Sequence, residues 1–87
     1  MGIEYQLKVP PENWDALKHA LNEHLRPLVL RIDPDAQADF PIAYVEMQED
    51  AVYVCDTLTN SAIASEIMRG IVDLMLLYSP SVTIVRE

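Results

Sequence analysis

Glycine and cysteine are scarce in this sequence, and over one long stretch basic residues are missing altogether. Only Gly2 and Gly70 are present. That excludes a glycine-rich phosphate loop and the G-x-S-x-G elbow that presents a nucleophilic serine. Cys55 is the single cysteine. No intramolecular disulfide and no cysteine-based zinc or iron–sulfur site can be built from this chain alone, and a reducing compartment is the default expectation. The N-terminus lacks the basic-then-apolar run of a signal peptide. Gly2 follows Met1, but Leu7 stands where a myristoylation motif needs Ser or Thr. The longest strongly apolar stretch, near residues 67–78, is interrupted by Arg69, Gly70 and Asp73 and is too short to span a bilayer. These absences predict a cytoplasmic protein without a membrane partner.

Lys and Arg are absent between residues 33 and 66, where eight acids lie: Asp33, Asp35, Asp39, Glu46, Glu49, Asp50, Asp56 and Glu66. Residues 1–32 carry four acids and four bases, and residues 67–87 carry two of each, so the formal charge of −8 belongs entirely to the middle third. Such a segment repels nucleic acid, and no basic stripe elsewhere compensates. An anionic membrane is disfavoured for the same reason. A basic protein partner or a cation is admitted, with Asp33, Asp35, Asp39, Glu49 and Asp50 as the partner-facing candidates. A solvated acidic surface accounts for the same residues.

What is present is enough to fold. The chain has 87 residues, 51% of them hydrophobic. That suits one domain, residues 1–87, burying roughly 60–65% of its unfolded surface, and it argues against disorder. Residues 3–9 alternate: Ile3, Tyr5, Leu7 and Val9 on one side, Glu4, Gln6 and Lys8 on the other. This is a half-buried strand, stopped by Pro10 and Pro11. Residues 11–25 read as a helix, with Pro11 at its first position and a stripe of Trp14, Leu17, Leu21 and Leu25. Pro27 predicts an end near Leu25 or Arg26. Residues 28–32 read either as a short extra strand or as a turn tucking apolar side chains under the sheet. Residues 33–41 read as a loop.

Residues 42–48 and 51–56 read as a hairpin around Glu49-Asp50, with Met47 opposite Val52 and Val45 opposite Val54. The two-residue turn lacks the usual glycine. Ala43, Val45, Met47, Val52 and Val54 then face the core, and Tyr44, Glu46, Gln48, Tyr53 and Cys55 face away. Several capping residues in 56–60 precede a long helix, about 60–78, whose main stripe is Ile63, Ile67, Ile71, Leu74 and Tyr78. Residues 81–86 alternate again, with Val82 and Ile84 on one side. The order strand, helix, strand, strand, helix, strand predicts an α+β class: a two-layer βαββαβ, ferredoxin-like sandwich, with an antiparallel four-stranded sheet and two helices on one face. That architecture hosts unrelated functions.

No catalytic, cofactor-binding or metal-binding set emerges. Cys55 precedes a helix N-terminus, which lowers a thiol pKa, but the residues after it hold neither Gly nor Arg, and Asp56 opposes a thiolate. His19 and His24 are five apart, about 140° around a helix, too far for one metal; Asp15, His19 and Glu23 suit surface ion pairs instead. Asp33, Asp35 and Asp39 resemble the start of a calcium loop, yet Ala38 replaces the required glycine and Tyr44 the closing glutamate. Thr57, Thr59, Asn60 and Ser61 suit capping as well as anion binding. Tyr44 and Tyr53 on the open sheet face are surrounded by acids, without an RNA-binding pattern.

Apolar surface is left over. Residues 67–78 carry nine large apolar side chains, more than a core stripe needs. Met68, Val72, Met75 and Leu76 fall outside the centre of the expected stripe, and Tyr44, Tyr53 and Cys55 lie on the open face. These seven are the candidate interface residues, because contiguous exposed apolar patches mark interfaces. The expectation is a non-catalytic interaction module with a protein partner, either itself as a homodimer or a basic protein that it inhibits. A small-ligand sensor without a resident cofactor is the other alternative.

Overall fold

The computed structural model describes residues 2–36 and 41–87. Six elements follow one another: β1 (Ile3–Lys8), α1 (Pro11–Ile32), β2 (Ala43–Met47), β3 (Val52–Asp56), α2 (Ser61–Leu76) and β4 (Thr83–Arg86). The strands form one sheet in the order β2-β3-β1-β4, and every neighbouring pair is antiparallel. Each helix therefore joins two strands that run the same way with a third between them. This is the α+β ferredoxin-like sandwich that the element order implies.

The alternation of β1 places Leu7 wholly inside and leaves Glu4 exposed. The hairpin has the expected register, with Val45 opposite Val54 and Met47 opposite Val52. Its turn closes without glycine: the Gln48 N–H donates to the Ala51 carbonyl at 2.9 Å, leaving Glu49-Asp50 as the two-residue loop. Asn60 caps α2, its side-chain oxygen accepting from the Ile63 N–H. Leu7, Val52 and Val54 from the sheet, Trp14, Leu17 and Leu21 from α1, and Ile67, Ile71 and Met75 from α2 make one core.

Two expectations about the helices are corrected. α1 does not stop before Pro27 but runs through it to Ile32, so residues 28–32 are neither strand nor turn. Pro27 withholds one N–H from the helix ladder, at a cost on the order of 3 kcal/mol. The extra turn offsets this by packing Leu28, Val29 and Ile32 against the core. Gly70 of α2 makes room for it: a Cβ there would lie 3.2 Å from Leu28 Cδ2 and 3.4 Å from Ile32 Cδ1. α2 in turn ends at Leu76 rather than 78, and its buried line is Ala64, Ile67, Ile71 and Met75.

The rotation of α2 settles which of its apolar residues are available. At 100° per residue, taking Ala64 as zero, Met75 falls at about 20°, Met68 at about 40°, Val72 at about 80° and Leu76 at about 120°. Burial follows that drift. Met75 is fully buried, Met68 and Val72 are half-buried, and Leu76 is 47% exposed. Met75 is thus a core residue and not an interface candidate. Tyr78, expected on the buried stripe, lies past the end of the helix and is exposed.

Candidate functional site

Three surfaces carry the residues singled out by sequence. The first is the open face of the sheet. Strand register brings Tyr44, Cys55 and Glu4 into one row across it, and Glu46, Tyr53, Gln6 and Val85 into the next. The Tyr53 hydroxyl donates to a Glu4 carboxylate oxygen, and Gln6 Nε2 donates to Gln48 Oε1 at 3.2 Å. The hydrogen bond to Glu4, more than any other cause, holds the Tyr53 hydroxyl above its ordinary pKa. Tyr53 is therefore a neutral donor locked into the sheet's own network. Cys55 is half-buried, and the backbone of Gly2 covers it so closely that a Cβ at Gly2 would sit 2.9 Å from its sulfur. Of the three open-face candidates, Tyr44 alone projects freely.

The second surface is the acidic segment, which the fold divides. Asp33 is 4% exposed. Its N–H donates to the Val29 carbonyl at the end of α1, and its carboxylate accepts from the Asp35 N–H. It closes a helix and opens a turn, so it is not a partner-facing acid. Asp35, Glu49 and Asp50 are exposed, and Asp39 lies outside the described residues. Glu49 sits beside the start of α1, where the Trp14 indole N–H donates to its carbonyl at 2.7 Å. Asp35 follows the other end of the same 22-residue helix, about 30 Å away at 1.5 Å per residue. Acids contiguous in sequence are thus split between two ends of the molecule.

The third surface joins α2 and β4. Met68 and Val72 line a groove of about 290 Å³ together with Tyr5, Arg69 and Ile84. Seven large hydrophobic side chains stand exposed among the described residues, and five of them fall between Leu76 and Val85: Leu76, Leu77, Tyr78, Ile84 and Val85. Ile84 does face the helix side, as its pairing with Leu7 requires. It is nevertheless 51% exposed, because β4 is the last strand of the sheet and no helix covers its outer half. Sequence reasoning missed Ile84, Leu77 and Tyr78. The element order held the signal for Ile84, since the last strand of this topology is an edge.

Other features are quieter. A larger groove of about 780 Å³ runs between α1 and β2, floored by Leu21, Leu25, Val29, Val45 and Met47. His24 lies 3.7 Å from Glu23 with both side chains exposed. Among the described residues, no group of three or more His, Cys, Asp or Glu is placed to hold a metal, and no helix is long and apolar enough to cross a membrane. Leu58 is the one described non-glycine residue with positive φ, 65°; its N–H donates to the Asp56 carboxylate at 2.8 Å. No protein-family model, no curated protein and no solved structure matches the chain.

Proposed function

We propose that this protein is a non-catalytic interaction module that associates with a second copy of itself through the α2–β4 flank. The observation that carries this reading is the run of exposed apolar side chains at Leu76, Leu77, Tyr78 and Ile84, with Val85 exposed on the open face of the same edge strand. Residues 67–87 hold Arg69, Arg86, Asp73 and Glu87 and no other charged side chain. Two copies of a chain with a formal charge of −8 repel one another wherever their acidic parts meet, so contact is least opposed where the net charge is zero. Apolar surface of this kind is what an interface covers, and a twofold dimer is the commonest form for identical chains.

Sedimentation velocity over a wide concentration range tests this directly. The expected result is a monomer–dimer equilibrium that shifts toward monomer in Leu76→Glu and Leu77→Glu, with unchanged far-UV circular dichroism. A wild-type chain that stays strictly monomeric at high concentration overturns the reading.

A further inference from the structure

The backbone pairing of β4 shows which of its atoms face away from the described strands. In an antiparallel pair, successive residues turn their N–H and C=O alternately toward and away from the neighbouring strand. The Glu87 N–H donates to the Glu4 carbonyl of β1 at 2.9 Å. Glu87, Val85 and Thr83 therefore face β1, and Ile84 and Arg86 direct their N–H and C=O outward, to the open edge. An edge of this kind templates pairing with another strand. The opposite edge, β2, carries Glu46 within the strand and Glu49-Asp50 at its end; two copies of it would set like charges together. β4 has no acid between Thr83 and Arg86.

Resting on the self-association proposed above, we infer that two copies join their sheets along β4, antiparallel about a twofold axis through Val85, to form one eight-stranded sheet. The register follows from the outward groups. With Val85 opposite Val85 of the second copy, Ile84 lies opposite Arg86 on both sides of the axis, and their four outward N–H and four outward C=O groups meet as two closely hydrogen-bonded pairs. Faces are preserved, so Ile84 stays on the helix side of the joined sheet and Val85 on the open side. The Met68–Val72–Leu76 row of each copy then borders the seam.

Charge agrees with this register. Within one copy Glu87 stands opposite Glu4 across β1 and β4, a like-charge pair on the open face. Lys8, on the same face and opposite Thr83, makes no ion pair among the described residues. In the joined sheet Thr83 lies opposite Glu87 of the second copy, so Lys8, Thr83 and that Glu87 form one row. Lys8 and the incoming Glu87 are then two strand spacings apart, about 9.6 Å between Cα atoms, within reach of two long side chains leaning over a threonine. The contact occurs twice by symmetry.

The test uses cysteine cross-linking in the full chain, with Cys55→Ser removing the native thiol. Directly opposed residues in a widely spaced pair have Cα atoms about 4.5 Å apart, inside the range that a disulfide accepts. Val85→Cys is expected to form a covalent dimer almost completely in an oxidised glutathione buffer, whereas Thr83→Cys, four residues out of register with its own copy, remains uncross-linked. Ile84→Pro removes an outward N–H and leaves the bonds to β1 intact. It is expected to give a folded monomer, and Lys8→Glu is expected to weaken the dimer at least several-fold and to be rescued by Glu87→Lys. If wild-type chain dimerises while Val85→Cys fails to cross-link and neither Ile84→Pro nor Lys8→Glu changes the equilibrium, the edge pairing is wrong and self-association through another part of the flank stands. If wild-type chain is a monomer, both fall.

Discussion

Replacing Pro27 with alanine tests the most unexpected local feature of the fold, a helix that runs through a proline. Pro27 lies inside the 22-residue α1 and is exposed, so little packing is lost with its ring. Alanine restores an N–H at position 27 for the Glu23 carbonyl and removes the clash of the ring with the preceding turn, together on the order of 3 kcal/mol. Against this, the unfolded chain regains freedom that proline denied it, about 0.4–1 kcal/mol. The net expectation is a stabilisation of about 2 kcal/mol. For a domain of this size each kcal/mol moves Tm by about 4–8 °C, so Pro27→Ala raises Tm by roughly 8–16 °C. Thermal melts and urea titrations followed by circular dichroism at 222 nm measure it. An unchanged or lowered Tm refutes the reasoning, because it means that residues 23–27 gain no helical bond and that the last turn of α1 is not held as described. Leu28→Ala is the companion measurement: its side chain packs on the core beside Gly70, and its loss costs about 1–2 kcal/mol.

The remaining predictions concern single contacts. Met75→Lys prevents folding, since it buries an unpaired charge at a fully buried position, whereas Leu76→Lys one residue later leaves urea-induced unfolding of the monomer within about 0.5 kcal/mol of wild type. Trp14→Phe removes the indole N–H that donates to the Glu49 carbonyl and destabilises by about 1–2 kcal/mol, read by urea unfolding. Tyr53 carries a raised pKa because its hydroxyl donates to Glu4; the folded value lies above the unfolded one, so its stabilising contribution is complete below pH 10 and fades as pH rises beyond it. Absorbance titration at 295 nm then shows a late tyrosine ionisation step, and that step disappears in Tyr53→Phe. Leu58→Gly relieves a positive φ on a side chain that is largely exposed and stabilises by about 1 kcal/mol; a loss of stability by the same assay contradicts that reading.

How much of this was legible in the sequence depended on whether a pattern is local. Alternation in residues 3–9, the Val45–Val54 and Met47–Val52 register and the order of six elements are consequences of side-chain period and short connections. They predict the same sheet and layers that the chain adopts. The chemical expectations rest on scarcity, because a site that requires glycines or paired cysteines cannot be assembled from this chain without them.

Tertiary structure settled the rest, for reasons that no local pattern contains. Proline 27 is a helix stop in isolation, and the helix persists because Gly70 on another element lets Leu28 and Ile32 approach. Met75 and Leu76 are equally apolar letters in the same run, and a rotation of about 100° between them puts one in the core and the other in solvent. Asp33 looks like its acidic neighbours until its N–H is needed at the end of α1. The acidic middle third is one stretch of chain, but Asp35 follows the end of the 22-residue α1 while Glu49 is held beside its start, so these acids lie far apart. Ile84 alternates like any core residue of a strand, and it is exposed because β4 has a neighbour on one side only.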